Sequence, residues 1–265
     1  MTAPTLVVQH GADDPPGRLG RWLVEAGCPL LVVRCHLGEP LPASLSGMAG
    51  LVVLGGMMGA YDDHRAAWLP ATKALLRQGV AEDVPTLGVC LGHQLLAVAA
   101  GGRVQTATAP QQGVVPVTVT ADAADDPLFS ALGGRAAAVH WNNDLVVQAP
   151  PGAVVLSRSP AGIQGFRVGT HAWGVQCHPE VDPDTVAGWG ADDVAAGRQP
   201  AERVAALLRG IREADDELEH TWAAFVRRFS AQVLQRARRL DRQPEPTHLL
   251  GDRRGVLGAG AGLQA

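Results

Sequence analysis

Val84-Pro85-Thr86-Leu87-Gly88-Val89-Cys90-Leu91-Gly92-His93-Gln94 reads as a strand, Pro85–Val89, that runs into a helix, Leu91–Ala100, with no loop between them. Cys90 stands at the junction, and Gly88 and Gly92 flank it two residues away on either side. A turn this tight leaves no room for side chains at those two positions, and it lifts the middle residue above the sheet at a helix N-terminus. There the unpaired N–H groups and the helix dipole favour a thiolate. The spacing therefore marks Cys90 as a candidate nucleophile.

On either side, short apolar runs alternate with helical patterns. Thr5–Gln9, Pro29–Arg34 and Leu51–Leu54 read as strands. Arg18–Ala26 and Leu69–Gly79 read as helices, the second opened by Pro70 in its first turn. Strand and helix in alternation predict an α/β fold: a mostly parallel, doubly wound sheet with helices on both faces. After about residue 113 the helical signals thin out. Val114–Thr120, Ala136–His140, Val154–Ser157, Gly162–Val168 and Ala172–Gln176 read as strands of an added antiparallel extension. From Pro200 the apolar positions Val204, Leu207, Leu208, Ile211, Leu218, Trp222, Phe225, Phe229 and Val233 recur at threes and fours, with a break around Asp215. These boundaries give a main domain over residues 1–190 and a C-terminal helical segment over 191–242. Residues 243–265, rich in Pro, Gly and Arg, are expected to be a mobile tail. The helical stripe must be covered by the body of the domain or by another subunit, which leaves a homo-oligomer open.

Composition limits the function classes. The 265 residues are 46% hydrophobic and 18% charged, with a formal charge of −4, which argues against nucleic acid or an anionic membrane as partner. No apolar run is long enough to span a bilayer, and a cytoplasmic location is expected. Lys73 is the only lysine, so no phosphate-binding G-x-x-x-x-G-K-[ST] loop exists, and its stretch reads as a surface helix. None of the four cysteines forms a C-x-x-C pair, so no metal site is expected, and no cofactor.

A thiolate nucleophile needs a base and a group to orient it. Of the nine histidines, His178 has a carboxylate at a useful offset after a predicted strand, in Gln176-Cys177-His178-Pro179-Glu180. In extended chain, residues i and i+2 share a side, so Glu180 can reach the His178 imidazole while Cys177 faces the core. Leu51–Leu54 ends in Gly55-Gly56-Met57-Met58-Gly59. Glycines at the carboxyl end of a strand let backbone N–H groups approach a ligand, and with the Leu91 N–H they suit a developing oxyanion.

These pieces together resemble the class I (triad) glutamine amidotransferases over roughly Leu6 to Val181. Gly88-Val89-Cys90-Leu91-Gly92-His93-Gln94 resembles the family's nucleophile motif, Cys177-His178-Pro179-Glu180 its second motif, and Leu54-Gly55-Gly56 its first. The resemblance implies Cys90 as nucleophile, His178 as base, Glu180 as its orienting acid, and the Gly56 and Leu91 N–H groups as oxyanion hole. It implies Gly55, Gln94, Asn142 and Asn143 as substrate-binding residues. His140-Trp141-Asn142-Asn143-Asp144 is similar to the family's W-x-x-H-G-D region, with Asn142 where many members have His.

By this resemblance the chain is an amidotransferase or glutaminase that splits the side-chain amide of glutamine through a γ-glutamyl thioester. A separate acceptor-activating synthetase would receive the ammonia, since residues 182–265 are too few for a nucleotide-activating domain. A γ-glutamyl hydrolase or peptidase acting on another γ-glutamyl amide would use the same triad. A non-catalytic binding protein on this fold would not need Cys90, His178 and Glu180 together. The stress-related cysteine-elbow proteins would lack the Cys-His-Pro-Glu run. Part of the Val204–Val233 stripe is expected to remain free for docking.

Overall fold

A computed structural model describes residues 2–242, and the tail expected over 243–265 lies outside them. In chain order the elements are β1 (Thr5–Gln9), α1 (Gly17–Glu25), β2 (Leu30–Arg34), β3 (Gly50–Val53), α2 (Leu69–Ala81), β4 (Thr86–Val89), α3 (Leu91–Ala99), β5 (Arg103–Val114), β6 (Val117–Val119), β7 (Arg135–Ala136), β8 (Val139–Gln148), β9 (Val154–Ser159), β10 (Gly162–Val168), β11 (Ala172–Val175), α4 (Pro183–Ala195), α5 (Ala201–Glu213) and α6 (Asp215–Arg242). The sheet runs β2-β1-β3-β4-β11-β10-β9-β6-β7. Its first five strands are parallel, and pairing turns antiparallel from β10 onward. β5 and β8 form an antiparallel arm, joined to the sheet where β8 meets β10.

The period of two along each strand sorts the core into two layers. Leu6, Val8, Leu51 and Val53 face α2 and α3, where they meet Leu69, Leu75, Leu76, Leu91, Leu95 and Leu96. Val7, Val52, Leu87, Val89, Trp173 and Val175 face the other way, onto α1 and α6. On β1 and β4 the buried polar side chains Thr5, Gln9 and Thr86 stand at strand ends, and the stretches between are apolar, as suits a sheet covered on both faces.

The antiparallel extension differs in detail from the expected strands. β5 is not legible in the sequence, because Gln105-Thr106-Ala107-Thr108-Ala109-Pro110-Gln111-Gln112 is polar and Ala-rich and is held by its ladder to β8. The single strand expected over Val114–Thr120 is divided between the end of β5 and β6. The expected Ala136–His140 strand is divided between β7 and β8, and β8 continues eight residues past His140 to Gln148.

Two other expectations are corrected. Lys73 lies on α2 but is buried, and its Nζ donates to Asp63 Oδ1 at 2.6 Å and to the Ala60 carbonyl at 3.3 Å. The α5–α6 stripe is largely covered by the body of the domain, with Leu207 and Leu208 half-buried. Val204, Ile211, Leu218, Trp222, Phe225, Phe229 and Val233 are all buried. Leu207 packs over Gly113 of β5, and Leu208 reaches Gly190 of α4. The aromatics of α6 interlock edge to face with the sheet layer: Phe225 with Phe129 at 5.3 Å between ring centroids, Phe229 with Trp173 at 6.5 Å. Trp222 donates its indole N–H to the Ala137 carbonyl at 3.0 Å. The start of α6 is clamped to α1 by a two-pronged pair, Arg18 Nη1 and Nη2 to Asp215 Oδ1 and Oδ2 at 2.8 and 2.9 Å. Among the described residues no helix is long and apolar enough to cross a membrane.

Candidate active site

The junction of β4 and α3 is an elbow. Cys90 has φ +50° and ψ −103°, a conformation a non-glycine residue adopts only when its surroundings enforce it. Two backbone bonds do so: the Cys90 N–H donates to the Val175 carbonyl of β11 at 2.9 Å, and its carbonyl accepts from the Gln94 N–H at 3.1 Å. A Cβ at Gly88 would strike the backbone of Gly92, and a Cβ at Gly92 would strike the Val53 carbonyl of β3. The second glycine thus serves the seating of α3 on the sheet as well as the turn. Gly92→Ala is expected to destabilise the fold by about 3 kcal/mol or more, because the clash is with backbone that cannot rotate away. Gly210→Ala on α5, where a Cβ meets nothing within 4 Å, should be neutral or stabilising by up to about 1 kcal/mol. Urea denaturation of both variants makes the comparison.

β11 ends at Val175, and the next residues deliver the second half of the site. The His178 N–H donates to the Val139 carbonyl at the start of β8, at 2.9 Å. Its Nδ1 lies 2.7 Å from Glu180 Oε1, and both side chains are buried. The Glu180 carbonyl in turn accepts the Arg18 N–H at 2.8 Å, at the first turn of α1. Trp189 of α4 lies edge-on over the imidazole, centroids 4.7 Å apart, and anchors its own N–H on the Asp13 carbonyl at 2.9 Å. Burial alone would lower the His178 pKa. The charges of the Cys90 thiolate and the Glu180 carboxylate, with the Glu180 hydrogen bond, outweigh it and raise the pKa well above the usual histidine value. His178 Nε2 is buried and has no hydrogen-bond partner among the described residues. An imidazolium held beside a thiolate is equipped to pass a proton to a group bound at the sulfur.

The Gly55–Gly59 segment closes the third side. A Cβ placed on Gly55 would sit 3.2 Å from His178 Cε1 and 3.8 Å from Cys90 Cβ. Gly56 lies against Leu91, its would-be Cβ 3.0 Å from Leu91 Cδ2. The Leu91 N–H, in the first turn of α3, has no intrahelical acceptor. Gln94 is buried and donates its amide to the Asp144 carbonyl at 3.0 Å and to Gln176 Oε1 at 3.3 Å. Asn142 is also buried, and its Nδ2 reaches the same Asp144 carbonyl at 3.1 Å. Gln94 therefore braces the β8 arm against α3, whereas the Asn142 bond stays within β8. Asn143 is the expected site residue that is not brought in. It lies on the opposite face of β8 from Asn142, is exposed, and makes no side-chain hydrogen bond among the described residues. Adjacent residues of a strand point to opposite sides, so a segment that is strand rather than loop separates the pair.

Four neighbours are missed from the sequence alone. Gln176 reaches Cys90 Sγ at 3.6 Å, and its position two residues before His178 on extended chain is a usable signal. His140 is buried beside His178, and burial lowers its pKa to about 4, so it stays neutral. Asp14 comes from the distant β1–α1 loop and Trp189 from α4, nine residues past Glu180, and neither carries a local pattern. Cys177 faces the core as expected, and burial followed by the Glu180 charge pushes its thiol well above the usual range.

The sequence profile of the family described as "Glutamine amidotransferase class-I" matches residues 18–187. The chain is 28% identical over 189 residues to the glutamine amidotransferase-like protein YfeJ of Salmonella typhimurium, covering 68% of this chain and 77% of that one. It is 36% identical over 134 residues to the A-type subunit of the glutamine-hydrolysing GMP synthase of Halobacterium salinarum, covering 50% of this chain. The match spans 66% of that relative's length, just under two thirds. A solved glutamine amidotransferase from Methylobacillus flagellatus superposes with a TM-score of 0.75 at 27% identity, covering 89% of this chain and 96% of its own. A solved glutamine amidotransferase from Thermotoga maritima shares the fold at a TM-score of 0.76 and 24% identity, covering 87% and 99%.

Proposed function

Because the chain belongs to the class I glutamine amidotransferase family, whose members are cysteine-dependent amidotransferases, we propose that it hydrolyses the side-chain amide of glutamine and passes the ammonia to an acceptor held by a separate synthetase. The observation that carries this reading is the His178–Glu180 contact of 2.7 Å beside the Cys90 elbow, at the carboxyl ends of β4 and β11. Cys90 Sγ attacks the amide carbon, and the carbonyl electrons move onto oxygen, held by the Gly56 and Leu91 N–H groups. The carbonyl re-forms and the C–N bond breaks as His178 gives its proton to the departing nitrogen, which leaves as ammonia, with the γ-glutamyl group held as a thioester on Cys90 Sγ. His178, now neutral, takes a proton from water. The hydroxide displaces the sulfur, and glutamate departs. Glu180 stabilises the imidazolium in both halves of the cycle. Residues 1–190 form the amidotransferase-like unit in this reading, and 191–242 a helical extension that covers one face of its sheet.

The test is ammonia release by the purified chain from glutamine and from a panel of γ-glutamyl peptides, with and without an added synthetase. Glutamine is expected to give the highest kcat/KM, and a cognate synthetase to raise turnover. A higher kcat/KM on a γ-glutamyl peptide, unmoved by any added protein, would make the chain a γ-glutamyl hydrolase.

A further inference from the structure

Asp14, in the loop between β1 and α1, is 8% exposed and yet forms no side-chain hydrogen bond or ion pair among the described residues. An unpaired carboxyl costs free energy to bury unless something arrives to meet it. Two glycines make room for it. A Cβ on Gly11 would sit 2.8 Å from Asp14 Oδ2, and a Cβ on Gly55 would sit 3.4 Å from Asp14 Oδ1. His178 Cε1 and Cys90 Cβ lie 3.2 and 3.8 Å from the same point beside Gly55, so Asp14, the base and the candidate nucleophile converge on one position that glycine leaves without a side chain. The charged and titratable groups acting on Asp14 are His178, Glu180, Asp13 and His36. Burial, with the Glu180 and Asp13 charges, raises its pKa to about 6 against the opposing pull of His178 and His36, leaving it mostly ionised at neutral pH.

Resting on the reading that Cys90 attacks a γ-glutamyl amide, we propose that Asp14 accepts the α-ammonium group of the substrate. Asp14 then selects γ-carboxamides that carry a free α-amine over N-acylated or des-amino analogues. The reach fits: in extended glutamine the α-nitrogen lies four bonds from the amide carbon, about 5 Å away. An ammonium there meets a largely buried carboxylate with no competing partner, an arrangement in which a charge-assisted hydrogen bond discriminates strongly. Gly55 keeps the point where Asp14, His178 and Cys90 converge clear of a side chain.

The test compares L-glutamine with glutaramate, the same amide without the amine, on wild type and Asp14→Asn. Wild type should prefer glutamine by about a hundredfold or more in kcat/KM, as a site built around a polar group does. Asp14→Asn should narrow that preference by at least about tenfold, through the KM for glutamine more than through kcat. Equal losses on both substrates would assign Asp14 a merely structural part and overturn the proposal, as would an unchanged preference. If wild type hydrolyses neither amide, the functional reading fails separately, and calorimetric titration of the same proteins with both compounds decides Asp14. Tighter binding of glutamine that Asp14→Asn removes supports the proposal. Equal or absent binding overturns it.

Discussion

Cys90→Ala is expected to lower glutamine hydrolysis by about a thousandfold or more, because the thioester route disappears with the sulfur. The same substitution at Cys177, one residue from the histidine, should leave kcat within a few fold. Both thiols are buried, so exposure does not separate them. Their surroundings do. Cys90 caps α3, faces Gly55 and accepts the Gln176 amide, whereas Cys177 is held in an apolar layer where burial keeps it protonated. Losing the Cys177 sulfur should cost on the order of 1 kcal/mol of stability as a small cavity. Cys28→Ala and Cys35→Ala should behave like Cys177→Ala. Initial rates, with circular dichroism to establish folding, make the measurement. Equal inactivation of folded Cys177→Ala would mean that the nucleophile is the other thiol.

His178→Ala should match the loss of Cys90→Ala, about a thousandfold or more, since both proton transfers pass through the imidazole. Glu180→Gln should cost less, roughly ten- to a hundredfold in kcat. Glutamine can still accept from Nδ1 at the position of Oε1, 2.7 Å away, but it contributes no charge to the imidazolium. The raised pKa of His178 draws on that charge, so Glu180→Gln should lower it and move the limb of the pH–rate profile reporting imidazolium loss to lower pH. The sign follows from the direction: a base raised by an anion falls when the anion is neutralised. If Glu180→Gln proved the more damaging of the two, Glu180 would itself be taking part in proton transfer.

The legible parts of this molecule are those governed by short-range rules. The elbow stands out because Gly88 and Gly92 are forced by contacts between near neighbours and one adjacent strand. The parallel half of the sheet stands out because β1, β3 and β4 are covered on both faces and so read as unbroken apolar runs. β5 does not, because a strand held mainly by one ladder carries little compositional signature. Asn142 and Asn143 read as one motif, and strand geometry divides them. Asp14 and Trp189 have no signal at all. Asp14 reaches the site from the loop between β1 and α1, far off in sequence from His178, and Trp189, nine residues past Glu180, is turned back over the imidazole by the packing of α4.

The position of α6 bears on the order in which the molecule is made. Its residues 215–242 supply the cover for Val7, Val52 and Trp173, which lie on strands synthesised long before. While the chain is emerging, that face of the sheet is bare, an exposed apolar surface of the kind chaperones bind. The same helix begins with Asp215, which grips Arg18, the residue whose N–H holds the carbonyl of Glu180. The site is therefore fully braced only after α6 has left the ribosome and docked. Contacts of such sequence separation form late and slow the final step of folding. A chain truncated before α6 would be a client for quality control, with its glutamine chemistry unbraced.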